Sequence, residues 1–284
     1  MTDKKPLAPG LYFVATPIGN ARDITLRALD VLRDADVLAA EDTRSLRRLM
    51  EIHGVPLNGR RVLAYHDHNG SEMRPRLLGL LEEGRSVAYA SEAGMPLIAD
   101  PGYVLGRDAA EKGHAVTSAP GVSASLVALL LSGLPTDAFT FAGFAPSGGG
   151  ARRKFLEGLA DAPGTLILFE SPRRLAVFLQ DASEVLGAER PAAVCRELTK
   201  KFEEARRGTL AELGELYADA PPKGEIVVCI GRGERSVTED DVRARLEERL
   251  KTEKLKTASA QVAEELGVSK RDVYQMGLRI QQGD

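Results

Sequence analysis

The stretch Leu11-Tyr12-Phe13-Val14-Ala15-Thr16-Pro17-Ile18-Gly19-Asn20 decides the fold class. Leu11 to Ala15 is a short apolar strand, and Thr16-Pro17 with Gly19-Asn20 stops it in a turn. The same pattern then recurs. Ile24 to Arg33 places Leu26, Leu29 and Leu32 at helical spacing. Val37 to Ala40 reads as the next strand, ending at Glu41-Asp42-Thr43, and Thr43 is the expected cap of a helix carrying Leu46, Leu49 and Met50. Strand Val62 to Tyr65 ends at His66-Asp67-His68-Asn69, and a helix with Leu77, Leu78 and Leu81 leads to strand Val87 to Ala90. That strand ends in Ser91-Glu92-Ala93-Gly94-Met95-Pro96, with Asp100-Pro101-Gly102-Tyr103 close behind. A helix over Val104 to Glu111 and a strand at Ala115 to Thr117 bring the chain to Ala119-Pro120-Gly121-Val122-Ser123. Such alternation predicts a parallel, helix-covered sheet, in which ligands bind outside the carboxyl ends of the strands. Five successive strand ends carry Gly, Pro, polar and acidic residues, more chemistry than a connecting loop needs.

Beyond an apolar helix at Ser123 to Leu131, with Ser123 as its expected cap, the pattern predicts strands at Phe139–Phe144, Thr165–Phe169, Ala192–Arg196 and Glu225–Ile230. Helices are expected around Arg152–Leu159, Arg173–Leu186 and Thr209–Tyr217, and Ser147-Gly148-Gly149-Gly150 as a flexible loop. From about Ser236 the chain is rich in Glu, Lys, Arg and Leu and reads as helical, with helix-turn-helix character. Ala263 and Leu266 would pack on Val273, Gly267 would make the turn and Ser269 would cap the following helix. The expected domains are an α/β domain over residues 1–121, a second over 122–234 and a helical tail over 235–284.

Composition narrows the function classes. Across 284 residues, 38 Lys and Arg against 41 Asp and Glu give a net charge of −3, which excludes a protein that coats nucleic acid by bulk charge. Cys195 and Cys229 lack the spacing of a zinc ribbon or disulfide scaffold and read as reduced core thiols. Leu126 to Leu131, the most apolar run, is far too short to span a bilayer. Lys4 and Lys5 precede an apolar run too short for a signal peptide, so a cytoplasmic protein is expected. His66-Asp67-His68 offers two imidazoles without an evident third ligand, and no metal is expected. The Thr16–Asn20 turn is neither a dinucleotide fingerprint nor a P-loop, and Ser125 breaks the nucleophile-elbow pattern at Gly121-Val122-Ser123. Glu92 could accept hydrogen bonds from a ribose or an amine, or cap its turn. Glu170-Ser171-Pro172-Arg173-Arg174 and the charge-dense run from Arg196 to Gly208 read either as solvated faces of mutual salt bridges or as grips on RNA phosphates.

Several ordered motifs carry a resemblance: Val14-Ala15-Thr16-Pro17-Ile18-Gly19-Asn20, Ala40-Glu41-Asp42-Thr43-Arg44, His66-Asp67-His68-Asn69, Pro120-Gly121-Val122-Ser123-Ala124, Ser132-Gly133-Leu134-Pro135, Glu170-Ser171-Pro172 and Arg196-Glu197-Leu198-Thr199-Lys200. From about Gly10 to Gly233 the chain resembles the tetrapyrrole methylase-like superfamily, in its branch of small-subunit ribosomal RNA methyltransferases, and the helical tail is similar to that branch's C-terminal module. The resemblance implies an α/β fold of two domains with a cleft between them, a small helical module and a homodimer. It further implies an S-adenosyl-L-methionine-dependent enzyme that methylates the ribose 2′-hydroxyl of a cytidine in the decoding region of small-subunit ribosomal RNA.

Residues expected to line the cofactor cleft are Pro17, Gly19, Asn20, Glu92, Ala93, Gly94, Met95, Pro120, Gly121, Ser123 and Ser132. Glu170, Glu197, His66 and Asp42 are the candidate bases for the hydroxyl proton, and the sequence does not choose among them. Arg44, Arg152, Arg153, Arg173, Arg174, Arg196, Lys200 and Lys201 are the expected RNA contacts. The chain departs from the family pattern at Glu92 and Met95, where Asp and Thr are usual, and at Arg173 and Gly70, where His and Glu are usual. Two alternatives stand beside this reading: a porphyrinoid methylase of the same fold, and an RNA-binding protein that has lost catalysis.

Overall fold

In the computed structural model, residues 6–66, 68–98, 102–219, 221–233, 239–266 and 268–282 are described. The short apolar runs of the first half pair into one parallel sheet: β1 (Gly10–Val14), β2 (Val37–Ala40), β3 (Val62–Ala64), β4 (Ser86–Ala90) and β5 (Val116–Ala119), in the order β3-β2-β4-β1-β5. β4, between β2 and β1, is buried at every residue, as a strand covered on both faces must be. Helices α1 (Leu26–Asp34), α2 (Thr43–Ile52), α3 (Gly70–Glu82) and α4 (Tyr103–Glu111) make the crossovers. One face of the sheet packs Val14, Leu38 and Ala88 with Leu32 of α1 and Leu46 of α2, and the other packs Leu11, Phe13, Val87 and Tyr89 with Leu77 and Leu105.

Connectivity places the site. The chain leaves β1 for β2 with β4 filling the gap between them, and it crosses back over β1 to reach β5. The turns after β1, β4 and β5 therefore abut, at the kind of switch point where open α/β sheets hold ligands. Two expected caps are corrected. Asp42, not Thr43, caps α2, accepting from the Arg44 and Ser45 N–H groups at 2.7 and 3.3 Å, because Asp42 stands just outside the helix while Thr43 is already its first residue. Ser123 precedes helix α5 (Ala124–Ser132) without a side-chain cap bond; its hydroxyl pairs with that of Ser125 at 2.8 Å.

The second sheet is mixed: β6 (Phe139–Phe144), β7 (Thr165–Glu170), β8 (Pro191–Arg196), β9 (Glu204–Thr209) and β10 (Ile226–Ile230) lie in the order β6-β7-β10-β8-β9, with only β6 and β7 parallel. Leu166 and Leu168 of β7 face α7 (Leu175–Leu186) and α8 (Leu210–Ala218), while Ile167 faces α5, the two-residue alternation of a strand covered on both sides. Strand β9 was not expected. Its sequence, Glu-Ala-Arg-Arg-Gly-Thr, is charged because it is an edge strand, where charge discourages pairing with other chains. The flexible loop expected at Ser147–Gly150 is also corrected, since Gly148 is the N-cap of helix α6 and Gly149 its first residue (Gly149–Glu157). Cys195 and Cys229 are free and buried, and the Cys195 thiol points at the Ala128 carbonyl of α5.

Both sheets belong to one compact unit that runs through Gly233, and the chain from 234 onward forms a second. That second unit has its own helices, α9 (Glu239–Leu250), α10 (Leu255–Leu266) and α11 (Lys270–Gln282), and its own core of Val242, Leu246, Ala258, Val262, Ala263 and Val273. Leu266 packs at the edge of that core beside the expected Ala263–Val273 contact. The expected turn at Gly267 lies outside the described residues, as do Lys4, Lys5, Asp67, Asp100 and Pro101. Among the described residues no helix is long and apolar enough to cross a membrane.

Candidate active site

A two-residue bridge organises the site. Thr16, just after β1, and Gly94, after β4, exchange backbone hydrogen bonds at 3.0 and 2.9 Å. Gly94 sits at φ +81°, which a side chain would strain, and the Ser91 hydroxyl fixes the turn by donating to the Gly94 carbonyl at 2.7 Å. The strand-end turns are thereby locked into one wall. On one side of it lies a cavity of about 380 Å³, a volume suited to a nucleoside-sized ligand. Ala93, Gly94, Met95, Ser123 and Ala124 form its first-sheet side.

The opposite side comes from the second sheet: Phe144, Phe169, Glu170, Ser171 and Pro172, with Gly224, Glu225, Ile226 and Val227 at the start of β10. The lining is mainly apolar, with aromatic rings that suit a flat heterocycle. The Glu170 side chain is buried. Its Oε1 accepts from the Ser171 N–H at 2.7 Å, and its Oε2 from Arg174 at 3.1 Å. Arg174 is itself held by the Ala145 and Pro146 carbonyls, so this anion is fixed in place.

A strained loop joins the two halves. Glu197 and Thr199 adopt φ +50° and +64°, costly for residues with side chains. The Asn20 N–H donates to Thr199 Oγ1 at 3.1 Å, and a Cβ on Gly19 would fall 2.8 Å from that oxygen and 3.0 Å from the Leu198 carbonyl. Glu197 accepts from the Glu225 N–H and from Lys200, each at 3.1 Å, and Lys200 also reaches Glu225 at 2.8 Å. The Glu225 N–H, and then Lys200, hold the Glu197 carboxyl below the usual carboxylate range. The Lys200 ammonium is raised, its two carboxylate partners outweighing the desolvation that opposes them.

Sequence and fold comparisons agree with this geometry. Residues 10–214 match the family described as Tetrapyrrole (Corrin/Porphyrin) Methylases, and 236–281 match the RsmI C-terminal HTH domain. Ribosomal RNA small subunit methyltransferase I of Mesorhizobium japonicum is 55% identical over 83% of this chain and 79% of its own length. The protein of the same name from Vibrio cholerae is 42% identical over 98% of both chains. The chain belongs to the ribosomal RNA small subunit methyltransferase I family. Among solved structures, diphthine synthase shares the fold at a TM-score of 0.58 and 18% identity, over 78% of this chain and 89% of its own. A uroporphyrin-III C-methyl transferase from Thermus thermophilus, complexed with S-adenyl homocysteine, does so at 0.54 and 20%, over 79% and 97%.

The methyltransferase fold brings together only part of the expected site. Of the expected cofactor residues, Ala93, Gly94, Met95 and Ser123 line the cavity, whereas Pro17, Gly19 and Glu92 line a second groove across the Thr16–Gly94 bridge. Asn20 is engaged with Thr199, and the Pro120 carbonyl accepts from Thr25 Oγ1 at 3.4 Å. The Gly121 N–H points at Met95 Sδ at 3.4 Å. Ser132 is a correction: its buried hydroxyl donates to the Leu129 carbonyl and accepts from the Leu134 N–H, closing the end of α5 rather than facing the cavity.

Among the candidate bases, Glu170 is a lining residue of the cavity. Glu197 serves the inter-sheet loop. Asp42 caps α2, and the Arg44 N–H holds its carboxyl below the usual range. His66, at the end of β3, donates its backbone N–H to Asn69 Oδ1 at 2.9 Å, and its ring lies 5.9 Å from that of His68.

The expected RNA cations divide sharply. Arg152 is a correction: only 4% exposed, it donates to Asp181 at 2.6 Å and to the Ser147 carbonyl, so its charge is spent inside the fold. Arg153 pairs with Asp181 and Glu184, Arg174 with Glu170, Arg196 with Glu204, and Lys200 with Glu197 and Glu225. Arg44 and Arg173 are exposed, and exposed Lys201 lies 5.4 Å from the Phe202 ring. The sequence reading missed Phe144, Phe169 and Gly224 to Val227 as cavity residues. A signal existed in the Lys223-Gly224 turn before β10, because a strand antiparallel to β7 must begin where β7 ends.

Proposed function

We propose that this chain transfers the methyl group of S-adenosyl-L-methionine to the ribose 2′-hydroxyl of a cytidine in the decoding region of small-subunit ribosomal RNA. The observation that carries the reading is the cavity between the two sheets, whose apolar walls and aromatic rings match a donor with a flat heterocycle. When bound, that donor supplies a methyl group activated by its sulfonium. Phe144, Phe169 and Val227 would hold the apolar part, and the Ala93–Met95 backbone would fix its orientation. Orientation matters most here, because an in-line displacement gains much of its rate from alignment of the reacting atoms. A base that takes the hydroxyl proton typically adds ~10²–10⁴-fold, but the Glu170 carboxylate is closed off against Arg174 and does not open onto the cavity.

The same reading includes a homodimer. Leu126 and Leu130, one turn apart on α5, are exposed together with Leu26 of α1, and the Thr25–Pro120 bond ties the start of α1 to the turn that leads into α5. A second copy would cover this apolar face.

The test is transfer of labelled methyl to small subunits from a strain lacking the activity. The expected product is label on a cytidine ribose. Label on a base, label on an added porphyrinoid instead of RNA, or no transfer with no saturable donor binding would overturn the proposal.

A further inference from the structure

Across the Thr16–Gly94 bridge from the cavity lies a second, open groove of about 440 Å³ between the β1 turn, the end of β4 and helix α2. Arg44, Arg48 and Ile52 line it from α2, and their four-residue spacing puts them in one stripe along the helix. The stripe is chemically mixed: two guanidiniums with side chains 90% and 69% exposed, then an isoleucine left 51% exposed. Pro17 stands opposite, with Leu49 beside the stripe. Arg47 on α2 and Arg22, next in sequence to the lining Ala21, are exposed as well.

These cations differ from those of the second sheet. Arg44 has only a loose contact with Asp42 at 3.6 Å, and Arg48 an exposed pair with Glu51, the kind of surface pairing that contributes little and opens readily. In a chain of net charge −3, the groove lining carries two cations, Arg44 and Arg48, against one carboxylate, Glu92 at the end of β4. Charge complementarity therefore selects a polyanion, and the exposed isoleucine selects one that carries a flat apolar group.

We infer that this groove holds the single-stranded RNA segment next to the methylated nucleotide, with Arg44 and Arg48 on its phosphates and one splayed base against Ile52 and Pro17. The inference rests on the RNA-methylating reading above and adds the path of the strand. A target ribose reaches the cavity only if its nucleotide leaves the helical stack, and unstacked RNA is recognised by such pairings of cation and apolar surface. The shared wall puts the groove directly beside the cavity.

The experiment uses the full chain with Arg44→Ala/Arg48→Ala and, separately, Ile52→Asp, with Arg107→Glu on the remote helix α4 as a charge control. Three readings are taken: donor affinity by calorimetry, KM and kcat with isolated small ribosomal subunits, and the salt dependence of binding a labelled single-stranded RNA. The expected result for the double variant is a rise in KM of roughly tenfold at unchanged kcat and donor affinity, with the slope of log K against log salt shallower by ~0.7 per arginine. Ile52→Asp raises KM as well, and Arg107→Glu changes neither. Unchanged KM and salt slope in the double variant would overturn the inference. If the wild-type chain methylates no ribosomal RNA, the functional proposal fails separately, and the salt slope still decides whether RNA lies in this groove.

Discussion

The α2 face of the first sheet and the α6–α7 face of the second are both rich in arginine, yet they use it in opposite ways. On α2, Arg44 and Arg48 extend into solvent beside a groove. On α6, Arg152 is folded inward onto Asp181, and Arg153 is drawn along with it. A guanidinium already saturated by a carboxylate in a dry site has no capacity left for a phosphate, whereas one held by a single exposed partner keeps most of its charge available. Counting basic residues therefore does not locate an RNA surface; counting carboxylates within reach of them does.

The comparison breaks most visibly at Arg152. Removing Arg152 leaves buried Asp181 with only the half-exposed Arg153, so Arg152→Ala is expected to fall at the lower end of the about 3–5 kcal/mol for breaking a buried pair, read as a drop in urea midpoint without a change in slope. A smaller effect is expected at the junction of the sheets. Gly19→Ala drives a Cβ into Lys200 Cγ and Thr199 Oγ1 and should cost about 1–3 kcal/mol through a shift of the 197–200 loop, with weakened donor binding measured by calorimetry. Next comes pH. The Glu197 carboxyl lies below its ordinary value of 4.5, so its contribution is complete above that pH and is lost as pH falls through the depressed folded value. Denaturation midpoints of the wild type should therefore decline on acidification below about 4.5 more steeply than those of Glu197→Gln. The smallest effect belongs to Arg48→Ala, whose stability should stay within about 0.5 kcal/mol of the wild type while its RNA affinity falls.

How much of this was legible in the sequence follows from the range of the signals. The first sheet was readable because each parallel strand is a short apolar run whose end carries a conspicuous turn, and all its ligand-facing ends are carboxyl ends. The second sheet breaks that rule. There β10 runs against its neighbours and offers its start, Gly224 to Val227, to the cavity. Strand β9 was hidden because Arg206 and Arg207 look like a solvated charge run, whereas Arg207 donates to the Leu131 and Ser132 carbonyls at the end of α5 and Arg206 pairs with Glu204 along the edge strand. Arg152 and Asp181 lie 29 positions apart on different helices, so no local pattern announces their pairing. The inward turn of Ser132 was equally invisible, since a hydroxyl at a helix end can face either way.

The Thr16–Gly94 bridge is a single partition shared by two chambers, which on the reading proposed above would hold the donor and the strand. Partitions of this kind make occupancy reciprocal: whatever factor the donor adds to the grip on RNA by shifting these two residues, RNA must return to the donor in equal measure. Order of loading then becomes a kinetic choice, while the energy stored between the chambers is the same by either route.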